Sequence, residues 1–146
     1  MKIRILFISL ALLVVTNTIS QTFKLNIEIE NIEYQGTIYL AIYDNSTSFN
    51  QDNKNKNIDK KRWVKSIVEA VTTEGFKRSI ELKKGIYAIS LYVDSNDNKI
   101  IDKNFIGIPT EQYGFSNNAS GFLGSPSYKD ASFNLVDDLN IKISLK

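Results

Sequence analysis

The sequence predicts an all-β protein, an antiparallel β-sandwich of about seven strands of immunoglobulin-like or transthyretin-like type with one long irregular loop. Three observations support this fold class. Apolar and polar residues alternate in several short segments, as in strands that bury only one face. Glycines or acidic pairs separate these segments at regular spacing. No segment of the chain has a strong helical pattern, so the strands must form the core.

The first strand is predicted at 22–32, where Phe23, Leu25, Ile27 and Ile29 alternate with polar residues. This period of two residues places all four apolar side chains on one face. The same pattern predicts five further strands, at 36–44, 76–82, 85–94, 131–136 and 139–145.

The segment 59–71 is consistent with either a helix or a strand. Its apolar residues fit one helical face, but its second half, SIVEAVT, is rich in β-branched residues. We interpret it as the first arm of a hairpin with 76–82, which brings the strand count to about seven. The polar and basic run before it, 50–62, is predicted to be a solvated loop.

The N-terminus has the pattern of a secretory signal peptide. Lys2 and Arg4 precede an apolar run over 5–15, and small or polar residues follow it. The run is shorter than the ~20 residues of a membrane-spanning helix. We therefore expect cleavage after Ser20, export to the periplasm or the extracellular space, and a single domain at 21–146 without a transmembrane span.

Composition excludes several classes of function. Lys2 and Arg4 account for the formal charge of +2, so the remaining chain is neutral and does not have the basic surface of a nucleic-acid-binding protein. The absence of Cys and His excludes a cysteine nucleophile, a Ser-His-Asp triad and a histidine metal site. Only carboxylates, lysines, tyrosines and hydroxyl groups remain for acid–base chemistry.

The segment 94–102, DSNDNKIID, places oxygen donors at alternating positions, as in a calcium loop of EF-hand type. The candidate ligands are Asp94, Asn96, Asn98, the carbonyl of Ile100, Asp102 and, folded back from the following segment, Glu111. Lys99 occupies the position where such loops have glycine, and Phe105 occupies that of the bidentate glutamate. The alternative is a polar turn, because Asp and Asn at a strand end also bond to local backbone.

The irregular segment 103–130 contains both prolines, four of the seven glycines and five aromatic residues. Its aromatic content predicts an ordered loop, and we expect it to pack at the end of the sandwich where 94–102 lies. Four of its aromatic side chains could form a platform for a glycan or an envelope protein, or could pack the loop itself; they are Tyr113, Phe115, Phe122 and Tyr128.

The run from Gly85 to Leu135, with GIPTEQYGFSNN after DSNDNKIID, resembles an uncharacterised bacterial family known as domain of unknown function 2141. The resemblance implies an exported, compact β-domain and no established activity. Lys99 stands where the family has glycine.

These observations favour a non-enzymatic binding or structural module of the bacterial cell envelope, with calcium as the candidate ion. One alternative is a small glycoside-type hydrolase that uses two carboxylates among Asp94, Asp102 and Glu111. Another is an accessory subunit of an envelope assembly.

Overall fold

A computed structural model describes residues 21–54, 62–122 and 124–146, and two β-sheets account for nearly half of them. The predicted signal peptide, 1–20, lies outside the described residues, as does 59–61 of the ambiguous segment. Within these ranges the chain forms eight strands: β1 Thr22–Glu30, β2 Gly36–Tyr43, β3 Lys65–Val71, β4 Phe76–Lys83, β5 Gly85–Asp94, β6 Tyr113–Phe115, β7 Phe133–Leu135 and β8 Leu139–Ser144.

The two sheets confirm the predicted all-β sandwich. The smaller sheet has the order β4-β1-β8, and the larger has the order β3-β2-β5-β6, with β7 also paired to β5. All pairs are antiparallel except β1 and β8, which run parallel from Leu25↔Leu139 to Glu30↔Ser144. Strand β3, Lys65–Val71, confirms the strand interpretation for that part of 59–71. The predicted hairpin with 76–82 is wrong, because β3 pairs with β2 whereas β4 pairs with β1 in the other sheet. The turn between β3 and β4 holds an isolated bridge, Thr72↔Gly75.

The main core lies between the two sheets. It is formed by every second residue of the long strands, and Leu25, Ile27, Ile38, Leu40 and Ile89 are each at most 1% exposed. Complete burial of such a side chain stabilises the fold by about 1.5–3 kcal/mol. The strict alternation in the sequence is thus the direct consequence of a sheet with one face in this core.

The two outer faces differ. That of the smaller sheet is charged: Glu28 lies between the ammonium groups of Lys77, at 2.8 Å, and Lys142, at 3.2 Å. Hydrogen bonds from these two lysines lower the pKa of Glu28. Part of the larger sheet's outer face is instead covered by a second, smaller core.

This second core is organised by a helix that the sequence analysis did not predict. Helix α1, Ser46–Lys54, begins where the Ser48 N–H donates to the side-chain oxygen of Asn45 at 2.8 Å. Its single large apolar residue, Phe49, is completely buried against Tyr43. The prediction of a solvated loop over 50–62 is therefore wrong for 50–54. One apolar residue in nine does not produce a helical period.

The irregular segment divides between two places, so the expectation that all of it packs beside 94–102 is wrong. Residues 103–112 do lie at that end. After β6, a 3-10 turn (Ser116–Asn118) and helix α2 (Tyr128–Ala131) pack near the start of β5 instead. There the Ser116 hydroxyl accepts the Ile89 N–H at 2.8 Å, and the Tyr128 hydroxyl donates to the Ile86 carbonyl at 3.0 Å.

Candidate functional site

The loop between β5 and β6 is built around the buried carboxylate of Asp94, which is 1% exposed. One oxygen, Oδ1, accepts the N–H groups of Asn96, at 3.2 Å, and Asn98, at 3.3 Å. The other, Oδ2, accepts the N–H of Lys99 at 2.7 Å. The loop curls tightly around this carboxylate because Asp97 and Lys99 adopt positive φ angles of 61° and 66°. Lys99 therefore has the backbone conformation that favours glycine at its position.

Three further predicted ligands converge beside Asp94. The side-chain amide nitrogen of Asn96 lies 2.6 Å from Oδ2 of Asp102, and that of Asn98 lies 3.0 Å from both Asp102 oxygens. The N–H of Ile100 donates to the Asn98 side-chain oxygen at 3.0 Å. The alternating polar residues thus form one connected network.

Glu111 folds back onto this loop. Its side chain is almost completely buried, at 8% exposure. Oε1 accepts the Ser95 N–H at 2.8 Å and the Ser95 hydroxyl at 3.2 Å, while Oε2 accepts the Asp102 N–H at 3.0 Å. One carboxylate therefore joins the two ends of the segment 95–102.

The network uses the carboxylates of Asp94 and Glu111 mainly to hold backbone N–H groups. No group of three or more acidic, His or Cys side chains in the described ranges is arranged to hold a metal ion. The side-chain oxygens of Asn96, Asn98 and Asp102 also accept hydrogen bonds within the loop, from the Asn98 N–H, the Ile100 N–H and the two side-chain amides. Calcium binding stays a prediction.

Beyond Asp102 the chain forms a narrow hairpin with an apolar tip. Lys103 pairs with Pro109, and the Asn104 N–H donates to the Ile108 carbonyl at 2.9 Å. The side-chain oxygen of Asn104 accepts the N–H groups of Ile106, at 3.1 Å, and Ile108, at 3.0 Å. The side chains at the tip point into solvent: Phe105 is 99%, Ile106 64% and Ile108 53% exposed.

An open cleft of about 460 Å³ lies at the same end of the sandwich, between the turn after β1, the turn after β3 and the start of the loop. A smaller cavity of about 190 Å³ adjoins it and shares Tyr34 and Ser95. The cleft is lined by Glu33, Tyr34, Gln35, Thr72, Thr73 and Ser95, and the adjoining cavity also by Thr110, Glu111, Gln112 and Val93. The ring of Tyr34 is 59% exposed.

Gln112 fixes the geometry of this cleft. Its side-chain oxygen accepts the Glu33 N–H at 2.7 Å, and its side-chain nitrogen donates to the Asn31 carbonyl at 2.8 Å. The turn that carries Tyr34 is therefore joined to the loop that carries Glu111. Sequence reasoning missed Tyr34 and Gln112, because this contact joins segments about 80 residues apart.

The four aromatic residues predicted as a platform do not form one surface. Phe115 is buried, and Tyr113 and Tyr128 pack against the second core. Phe122 is 99% exposed and lies in the segment that leads to α2. The structure therefore supports the alternative, packing of the loop itself, for three of the four.

The outer face of the larger sheet carries an aromatic row that the sequence did not indicate. Tyr39 and Tyr92 stack at 5.1 Å with an interplanar angle of 7°, and Tyr113 pairs with Tyr92 across β5 and β6. The Tyr92 hydroxyl donates to the Lys99 carbonyl at 3.0 Å. Burial raises the pKa of Tyr92, which keeps this hydroxyl protonated. Through this hydrogen bond, the aromatic row on the sheet holds the loop 94–102 in place at Lys99.

None of the helices in the described part of the chain is long and apolar enough to cross a membrane.

Residues 27–144 match the model of a family described as an uncharacterized protein conserved in bacteria, DUF2141. No curated protein and no solved structure gives a significant match. The family match spans nearly all of the sandwich, including the Asp94 loop, the apolar hairpin and most of the cleft. The chain therefore belongs to the DUF2141 family of bacterial proteins.

Proposed function

We propose that this protein is an exported, non-catalytic binding module of the bacterial cell envelope, and that it binds a glycan in the cleft beside Tyr34. The observation that carries the proposal is the cleft itself, which combines an exposed aromatic ring with hydroxyl and amide groups on a fixed frame. Export is inferred from the signal-peptide pattern at 1–20.

The lining of the cleft suits a polyhydroxylated ligand. The exposed face of Tyr34 offers a surface for the apolar face of a sugar ring. The hydroxyls of Thr72 and Thr73 can donate or accept hydrogen bonds, as sugar hydroxyls do, and the Ser95 hydroxyl, which donates to Glu111, can accept one. An apolar ligand would leave these polar groups unsatisfied, at a cost in affinity.

The frame of the cleft is preorganised. Glu111 and Gln112 hold the loop and the turn together through hydrogen bonds of 2.7–3.0 Å to backbone groups. The residues that line the cleft would therefore lose little conformational entropy when a ligand binds. This favours measurable affinity even though the cleft is shallow.

The same hydrogen bonds argue against the hydrolase alternative. A glycoside hydrolase needs one carboxyl group as an acid and a second as a base or nucleophile, both facing the substrate. Asp94 and Glu111 instead face backbone N–H groups, and Asp102 faces two side-chain amides. We propose a structural role for all three, and we expect no hydrolysis of a panel of polysaccharides.

The test is binding of residues 21–146 to a glycan array, followed by titration of the best ligand. Tyr34→Ala should weaken binding at least tenfold without changing the melting temperature. Phe122→Ala removes an equally accessible ring elsewhere and should bind as the parent does. Failure to bind any glycan, or unchanged binding by Tyr34→Ala, would contradict the proposal. A loss confined to Tyr113→Ala would move the site to the aromatic row.

We propose calcium as a weak stabiliser of the loop, because hydrogen bonds of 2.6–3.0 Å bring Asn96, Asn98 and Asp102 together and Lys99 has the backbone conformation of a calcium-loop glycine. Binding would replace the contacts between the two side-chain amides and Asp102 with contacts between side-chain oxygens and the ion. A Kd on the order of 10⁻³ M is typical of weak extracellular sites. At 10 mM calcium this gives about 1.4 kcal/mol, or about 4–6 °C in melting temperature.

Melts in EDTA and in 10 mM calcium test this expectation. Asp102→Asn should abolish the shift, whereas Asp137→Asn, an exposed aspartate in the turn before β8, should retain it. Coincident melts of the parent protein would show that the segment is a polar turn that needs no ion.

A further inference from the structure

The hairpin tip formed by Phe105, Ile106 and Ile108, here called the apolar tip, has no role in the proposed glycan site. Its three side chains are 99%, 64% and 53% exposed. Isolated exposed apolar residues are common, but a contiguous group of large ones marks an interaction surface. We propose that the apolar tip inserts into the interfacial region of a lipid bilayer.

The shape of the apolar tip favours a bilayer. The hairpin is narrow because Lys103 pairs with Pro109 directly below it, and every residue from 103 to 108 is exposed. A convex projection of this kind enters a soft surface without a matching cavity.

The backbone of the apolar tip is also suited to an apolar medium. The Gly107 N–H donates to the Asn104 carbonyl at 2.9 Å, and the N–H groups of Ile106 and Ile108 donate to the Asn104 side chain. Because these donors are satisfied within the turn, insertion leaves none of the three without a partner. An unsatisfied N–H group would otherwise make insertion costly.

The charges around the apolar tip give no preference for an anionic head-group layer. The carboxylates of Asp94, Asp102 and Glu111 accept hydrogen bonds from uncharged N–H and amide groups, which do not cancel their formal charges. Over 94–111, Lys99 and Lys103 stand against four acidic side chains, a net charge of −2. The apolar side chains should therefore supply the affinity.

The experiment uses residues 21–146, which contain all eight strands and both cores, because the apolar segment 5–15 would bind lipid by itself. Co-sedimentation with phosphatidylcholine vesicles and with vesicles containing one-quarter phosphatidylglycerol gives the affinities. We expect binding to both, with no gain in affinity on the anionic vesicles, because the loop around the apolar tip is net acidic. Phe105→Ser should weaken binding roughly thirtyfold, as expected for a buried aromatic ring.

Phe122→Ser is the matched control, because Phe122 is equally exposed and lies outside the hairpin; it should bind as the parent does. A Phe105→Trp variant should show a blue-shifted emission with vesicles, and Phe122→Trp should not. Absence of binding to both vesicles, or equal losses for Phe105→Ser and Phe122→Ser, would overturn the proposal. A concentration-dependent dimer that Phe105→Ser abolishes would also overturn it, by showing that a second copy covers the apolar tip.

Discussion

Glu111→Ala should destabilise the protein more than any other single carboxylate truncation outside Asp94. The Glu111 carboxylate accepts the N–H groups of Ser95 and Asp102 at 2.8 and 3.0 Å, and the Ser95 hydroxyl at 3.2 Å. It does so at 8% exposure, so water cannot simply replace it. Its removal would leave two partly buried backbone donors without their acceptor.

The magnitude follows from these contacts. A hydrogen bond to a charged group contributes about 1.5–3 kcal/mol, and the contributions of two bonds on one carboxylate do not add fully. The free energy of unfolding should therefore fall by about 2–4 kcal/mol for Glu111→Ala. Glu111→Gln keeps one acceptor oxygen and should lose about half as much.

Urea unfolding of residues 21–146 measures the loss. With a denaturant slope of about 1.5–2 kcal/mol/M for a domain of this size, the midpoint should fall by roughly 1–2 M. Hydrogen exchange should accelerate at the amides of Ser95 and Asp102 before it does at the core strands. Glu74→Ala, in the exposed turn after β3, is the control and should change stability by less than 0.5 kcal/mol, on the order expected of surface substitutions. A loss for Glu111→Ala as small as this control would refute the reasoning.

Three further substitutions test other parts of the structure. Phe49→Ala should lower the free energy of unfolding by about 3–5 kcal/mol, because the ring is completely buried in the second core; a loss below about 1.5 kcal/mol would mean that this core is not formed. Gly36→Ala should cost about 1–3 kcal/mol by urea unfolding, since its Cβ would lie 2.3 Å from the Asp94 carbonyl oxygen on the facing strand; an unchanged midpoint would contradict this register. Burial raises the pKa of Tyr43, so its stabilising effect is fully present below the unfolded pKa near 10 and is lost as the pH rises through the folded value. Tyr43→Phe should therefore lose less stability than the parent between pH 10 and pH 12 by urea unfolding; equal losses would contradict this effect.

The strands were predictable because each long strand buries only one face. The alternation in β1 and β2 follows from a sheet that contacts the core on one side, and the predicted bounds agree with the structure to within a few residues at each end. Strand β6 was not predictable, since three residues, Tyr113–Phe115, are too few to show a period. Helix α1 escaped prediction for a related reason, because only Phe49 anchors it.

The candidate site was predictable in part. The polar loop 94–102 was predictable from the spacing of its Asp and Asn residues. Its contact with Glu111 was predictable because Glu111 lies only nine residues after Asp102, and the structure contains this contact. The cleft depends on Gln112 contacting Asn31 and on the turn 72–73, which are distant in sequence. No local pattern encodes such a contact, because it is fixed by how the two sheets are stacked.

The parallel pairing of β1 with β8 determines which end of the domain stays accessible when the protein is attached to a support through residue 21 or through Lys146. Strand β1 runs from Thr22 toward the turn that Gln112 fixes, and nine residues of strand span roughly 30 Å. Residue 21 therefore lies at the pole opposite the cleft and the apolar tip, while Lys146, which pairs with Tyr113, lies near them. A support, dye or affinity tag attached before residue 21 would leave the cleft and the apolar tip accessible to a ligand. The same group attached after Lys146 would stand close to the cleft and could obstruct it.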